Sequence, residues 1–140
     1  MYILDTNILT ALHPGNSKII NAIQKIGNER ISITIVTKVE RLRGRIDFLL
    51  KADRGESLLR AQNLLLETEK QLNLIEVLPF ENAAINQFEK LITIPSMRKA
   101  GRADLLIASI VLSQNGTLVT RNVKDFHRFP NLKLVNWFES

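Results

Sequence analysis

Short apolar runs alternate along this chain with longer stretches whose apolar residues recur at helical spacing. Tyr2-Ile3-Leu4, the β-branched Ile31-Ser32-Ile33-Thr34-Ile35, Leu74 to Leu78, Thr117 to Thr120 and Leu132 to Val135 read as five strands. Residues 17–28, 38–53, 56–72, 82–93 and 102–114 read as helices between them. This alternation predicts an α/β fold, with a central, mainly parallel five-stranded sheet covered by helices on both faces. Gly116 stands where a C-cap belongs after the last of these helices, and Asn115-Gly116 then turns the chain into the fourth strand. Within 56–72, Leu58, Leu59, Leu65, Leu66 and Leu72 form a stripe that faces a core or a second copy.

Composition narrows this picture. The 140 residues show no repeat, linker or low-complexity tract, and the four prolines are scattered, so 1–140 is read as one domain. There is no cysteine, which excludes disulfides, thiolate zinc sites, iron–sulfur ligation and cysteine nucleophiles. Two histidines, His13 and His127, make a histidine-rich metal site a poor expectation. No leader pattern opens the chain, and no apolar run approaches the roughly 18 residues of a membrane span. A soluble, cytoplasmic protein without a membrane partner is therefore expected. The 19 basic and 14 acidic side chains leave a net charge of +5, which tilts toward a polyanionic partner and is also an ordinary solubility charge.

The candidate chemistry is acidic. In open parallel sheets, sites form outside the carboxyl ends of the strands, where the strand order reverses. Asp5 follows the first strand, Glu40 the second, and Asn122 and Asp125 the fourth, while Asp104 opens the helix that precedes the fourth strand. Each has a structural explanation too. Asp5 can cap a short helix, Thr37-Lys38-Val39-Glu40 fits a capping box, Asp104 complements a helix dipole, and Asp125 can serve a turn. Taken together, several carboxylates at one sheet edge repel each other unless something positive sits among them. Oxygen-only donors suit Mg²⁺ or Mn²⁺. On a basic protein this points to metal-assisted cleavage of phosphodiesters, in which the ion polarises the phosphate and lowers the pKa of the attacking water.

Four motifs carry a family resemblance. Leu4-Asp5-Thr6-Asn7 resembles the opening motif of PIN-domain ribonucleases, and Thr34, Thr37 and Glu40, with Gly44 beyond, resemble the family's S-x-x-T-x-x-E segment. The stretch Asp104-Leu105-Leu106-Ile107-Ala108 resembles its D-x-x-I-A helix, and Thr120-Arg121-Asn122-Val123-Lys124-Asp125-Phe126 its TxNxxDF motif. Val135-Asn136-Trp137 resembles the closing strand of VapC-like toxins. The resemblance spans the whole chain and implies a PIN-like three-layer α/β/α sandwich. It also implies a divalent-metal-dependent endoribonuclease that is the toxin of a type II toxin–antitoxin pair. The rival expectations are a PIN nuclease of RNA processing and a non-catalytic PIN-like scaffold.

By that resemblance Asp5, Glu40 and Asp104 are the metal-binding acids, with Mg²⁺ or Mn²⁺ as cofactor. The family's fourth acidic position falls on Asn122, so either Asn122 or the nearby Asp125 completes the catalytic set. Thr6 and Asn7 orient Asp5. Arg98, Lys99, Arg102, Arg121 and Lys124 flank the acids in sequence, where they are placed to bind RNA phosphates. Arg41 and Arg45 share one helical face beside Glu40, either as solvated surface or toward an acidic partner. The implied partners are RNA, a cognate antitoxin protein and a second copy of the chain. The leucine-rich helices support the dimer, since Leu42, Ile46, Leu49, Leu50, Leu58, Leu59, Leu64, Leu65, Leu66 and Leu72 exceed what one small sheet can cover.

Overall fold

The computed structural model describes residues 1–139. Its strands are β1 (Tyr2–Leu4), β2 (Ile31–Thr34), β3 (Glu76–Leu78), β4 (Thr117–Val119) and β5 (Lys133–Val135). The helices are α1 (Thr6–Leu12), α2 (Ser17–Ile26), α3 (Ile35–Lys51), α4 (Gly55–Leu72), α5 (Asn82–Ile92), α6 (Arg102–Ser113) and the single turn α7 (Val123–Phe126). Short 3₁₀ segments cover Pro95–Lys99 and Trp137–Glu139. All strand pairs are parallel, in the order β3-β2-β1-β4-β5. The chain builds outward from β1 to β3 on one side, then returns to lay β4 and β5 on the other. β1 and β4 therefore flank the point where the order reverses.

Alternation along the strands separates two apolar layers. Ile3 and Leu118 point into a cluster with Leu105, Ile107, Ala108, Ile110 and Val111 of α6 and Ala84 and Leu91 of α5. Their neighbours Leu4 and Val119, with Ile33 of β2, point into the opposite cluster with Ile8 and Leu9 of α1, Ile19 of α2 and Trp137. Helices thus cover both faces of an all-parallel sheet, as the strand–helix alternation predicts. The helix α6 is apolar almost all round and correspondingly buried from Leu105 to Val111, apart from half-buried Leu106.

Three local expectations are corrected. The helix after β2 starts at Ile35, not Lys38, and its cap is Thr34, whose Oγ1 accepts from the Thr37 amide at 3.1 Å. The capping box expected at Thr37–Glu40 lies inside the helix instead, which leaves the Glu40 carboxylate available elsewhere. At the end of α6 the left-handed residue is Asn115 (φ 52°), not Gly116. Gly116 N–H donates to Val111 C=O and Asn115 N–H to Leu112 C=O, the paired bonds of a Schellman end. Gly116 is needed for another reason: a Cβ there meets Ile3 Cδ1 at 2.9 Å. Third, β3 starts at Glu76, and Leu74 lies in the preceding turn at 88% exposure.

The leucine stripe of 56–72 divides. Leu72 is buried and Leu65 half-buried, whereas Leu58, Leu59 and Leu66 are exposed, as are Ile46 and Leu50 on α3. The two helices pack against each other as a hairpin and leave these side chains on its outer faces.

Candidate active site

The site begins where β1 ends. Asp5 is the N-cap of α1 and only 5% exposed. Its Oδ1 accepts from the Thr6 amide at 2.8 Å, and its Oδ2 accepts from Thr120 Oγ1 at 2.7 Å and from Asn7 Nδ2 at 3.4 Å. Asn7 Oδ1 in turn accepts from the Arg121 amide, so the loop after β4 is tied to the loop after β1 across the reversal point. Burial raises the Asp5 pKa, and the bonds from Thr120 and Thr6 oppose that rise. The capping expectation is met by this side chain.

Glu40 reaches the same loop from α3. Its Oε1 accepts from Thr6 Oγ1 at 2.8 Å. Thr6 thereby serves both acids, by its amide to Asp5 and its hydroxyl to Glu40. Asp104 stands in the first turn of α6, half-buried. Burial raises its pKa, and the negative charges of Asp5, Asp125 and Glu40 raise it further, with Arg128 opposing. Carboxylates from three other segments thus act on Asp104 at the carboxyl end of the sheet. Asp104 and Asp125 also line a recess of about 200 Å³ with Lys99 and Arg128.

The two candidates for the fourth position separate. Asp125, on α7, shares the recess with Asp104, and Asn122 does not. Asn122 is the exposed N-cap of α7: its carbonyl accepts from the Asp125 and Phe126 amides, its amide donates to Thr120 Oγ1, and its side chain makes no capping bond. Among the basic candidates, Lys99 lines the recess and Arg98 lies beside it on the 3₁₀ segment. Arg102 stacks over the Phe88 ring at 5.0 Å and Arg121 over the Phe138 ring at 4.3 Å, and Lys124 is exposed on α7. Sequence reading gave Thr120 no role beyond its place in the TxNxxDF motif and counted Arg128 only among the basic residues around that motif. A threonine closing the strand before Asn122 is the signal that marks the first. The second is marked only by lying one helical turn beyond Lys124.

Among the described residues, no three histidine or acidic side chains stand close enough to cage a metal ion by themselves. The donor set is nevertheless all oxygen, and mutual repulsion marks the charge it lacks. Mg²⁺ is characteristically held by one or two carboxylates and keeps several waters, so this looser arrangement fits such an ion without a closed cage.

A parallel sheet with carboxylates gathered at its reversal point and cations at the rim defines a class: α/β proteins with a carboxylate-centred site. The chain belongs to the PIN domain family, whose profile matches residues 2–132. It is 31% identical over 140 residues to Ribonuclease VapC1 of Haemophilus influenzae (strain R2866), covering 98% of both proteins. A 37-residue segment, 26% of this chain and 28% of that protein, is 60% identical to Ribonuclease VapC2 of Rickettsia felis. Among solved structures, VapBC2 from Rickettsia felis bound to a DNA fragment from its promoter superposes with a TM-score of 0.75. It shares 30% identity and is covered to 98%, against 97% of this chain. FitAcB from Neisseria gonorrhoeae, at TM-score 0.77 and 18% identity, shares the fold.

Proposed function

We propose that this chain is an endoribonuclease that hydrolyses RNA phosphodiester bonds and acts as the toxin of a type II toxin–antitoxin pair. The observation that carries the reading is Asp104, whose carboxylate is pressed by Asp5, Asp125 and Glu40 at the reversal point of the sheet. Relatives named ribonuclease over 98% of the chain support the activity, and their solved complexes support the partner.

Asp5, Glu40 and Asp104 are the acids that would hold Mg²⁺ or Mn²⁺, with Asp125 as the fourth catalytic carboxylate. When bound, a divalent cation supplies Lewis-acid polarisation of the scissile phosphate and lowers the pKa of the attacking water. The chain's own residues position that chemistry. Thr120, the Thr6 amide and Asn7 fix the Asp5 carboxylate, and Thr6 Oγ1 fixes Glu40. Lys99 and Arg128 at the recess, with Arg98, Arg102, Arg121 and Lys124 around it, bind the RNA backbone. The rings of Phe88 and Phe138 hold two of those guanidinium groups in place. In hydrolysis the water oxygen bonds to phosphorus and the bond to the leaving ribose oxygen breaks. One product ends in a phosphate and the other in a hydroxyl.

The test is incubation of the purified protein with total cellular RNA, with and without Mg²⁺ or Mn²⁺, followed by mapping of the new ends. Metal-dependent cuts that vanish in Asp5→Asn support the reading, and intact RNA under every condition leaves a scaffold. The exposed apolar residues of α3 and α4 suit a homodimer, for which light scattering should return about twice the chain mass.

A further inference from the structure

A second cavity, of about 400 Å³, opens between α1, α3 and α4, at the far end of α1 from the acids. His13, Arg41, Arg45, Leu64, Glu67 and Thr68 line it. Its electrostatics are the reverse of the active site. Arg41 and Arg45 stand one turn apart on α3 and repel each other, and Glu67 is the one acidic side chain on the lining. Arg45 Nε donates to Thr68 Oγ1 at 3.1 Å. Two nitrogens, Arg41 Nε and His13 Nδ1, are buried without a hydrogen-bond partner among the described residues. Neither guanidinium forms an ion pair among the described residues. A buried donor left unmade costs more than an ordinary hydrogen bond contributes, and more still when it carries charge. What the cavity lacks is one negatively charged acceptor.

We propose that this cavity receives an acidic side chain of a protein partner, whose adjoining apolar residue lies in the trough next to it. This rests on the reading of the chain as one half of a toxin–antitoxin pair and names the chemistry by which the partner is held. The trough, of about 350 Å³, shares Leu64 and Glu67 with the cavity and is lined besides by Glu56, Leu59, Arg60 and Asn63. Leu59 is 58% exposed there. A single carboxylate beside an apolar side chain matches a cationic end joined to a largely apolar one. RNA matches it poorly, because its backbone would carry one charge per nucleotide past Glu56 and Glu67. The planar fork of guanidinium donors also suits a planar carboxylate geometrically.

The probe is the protein encoded by the reading frame adjacent to this chain's own, purified in complex with it. Arg41→Gln and Arg45→Gln should each weaken the complex about tenfold or more, with circular dichroism confirming the fold; two variants guard against one failing to fold. Each Asp and Glu of the partner is then replaced by its amide. One of those replacements should cost as much as Arg41→Gln does, and the double variant should be no worse than either single one. If every acidic replacement adds fully to Arg41→Gln, no carboxylate occupies the cavity and the proposal fails. Should Arg41→Gln raise the KM for RNA while leaving the complex unchanged, the cavity belongs to the RNA path and the proposal is overturned. Absence of any complex with the unmodified chain overturns the antitoxin reading, and this assignment with it.

Discussion

The two ends of α1 make opposite electrostatic choices about 12 Å apart along one short helix. At its N-terminus the charges of Asp5, Asp125 and Glu40 bear on Asp104, with Arg128 as the opposing charge. At its C-terminus His13 faces Arg41 and Arg45, with Glu67 as the opposing charge. Glu40 and Arg41 are neighbours in the chain, yet α3 turns one toward Thr6 and the other into the cavity beyond. Each end carries charge of one sign that the fold alone does not neutralise. One is short of a cation and the other of an anion, and each shortage identifies a different ligand.

The largest expected effect tests the acidic end. Asp104→Asn should reduce RNA cleavage by at least about 100-fold, above the range typical of residues that merely support a metal ligand. Without divalent cation its thermal midpoint should exceed that of the unmodified chain, because repulsion from Asp5, Asp125 and Glu40 is relieved. Full activity in the variant breaks the assignment. A smaller loss, about 10- to 100-fold, is expected for Thr120→Val, which deletes the hydroxyl that donates to Asp5 and accepts from the Asn122 amide. Thr120→Ser keeps that hydroxyl and should retain most of the activity, which separates orientation of Asp5 from loss of packing.

Calorimetric titration with Mn²⁺ sharpens the choice between the two fourth-position candidates. Asp125→Asn should weaken binding several-fold, roughly as the loss of one charge near a hard cation does. Asn122→Asp should change it less, since Asp125 lines the recess beside Asp104 and Asn122 does not. The reverse ranking would move the fourth site residue to position 122.

The smallest effects are in pH dependence, and here the two ends differ in sign. Asp5 and Asp104 have raised pKa values, so the folded chain holds their protons more tightly than the unfolded one. Their penalty is absent below 3.8 and grows as pH rises through the folded values. The stability gap between metal-free Asp104→Asn and the unmodified chain should therefore narrow as the solution is acidified toward pH 4. His13 behaves oppositely. Burial, then Arg41 and Arg45, lower its pKa below 6.5, so its contribution is lost as pH falls through that value. Imidazole proton shifts should show His13 titrating below His in a model peptide. Glu67→Gln should depress it further, since the Glu67 charge is what raises it.

Much of this was legible without coordinates. Short apolar runs and period-3.6 apolar spacing located every strand and every long helix, because burial in a sheet or along a helix stripe leaves its mark on consecutive residues. Short-range chemistry was legible wherever partners lie close in the chain, as with Asp5, the Thr6 amide and Asn7. It failed where two local solutions compete. Thr34 and Thr37 both offer caps, and only the pairing of Thr34 with Leu78 in the sheet decides where strand yields to helix. Asn115 and Gly116 both tolerate a left-handed turn, and only the approach of Ile3 decides which residue must lack a Cβ.

Residue types and their order along the chain determined the fold class, the list of acids and the oxygen-only donor set. Tertiary structure alone decided which charges meet. The strand order β3-β2-β1-β4-β5 brings Thr120 to Asp5 across 115 positions, and α3 carries Glu40 to Thr6 across 34. It set Asp125, and not Asn122, on the recess beside Asp104, and it turned Arg41 and Arg45 from a helix surface into the lining of a cavity. The reason is the range of the forces. Propensity and periodicity act over a few residues and are written locally, whereas electrostatic coupling depends on separation in space, which only packing sets.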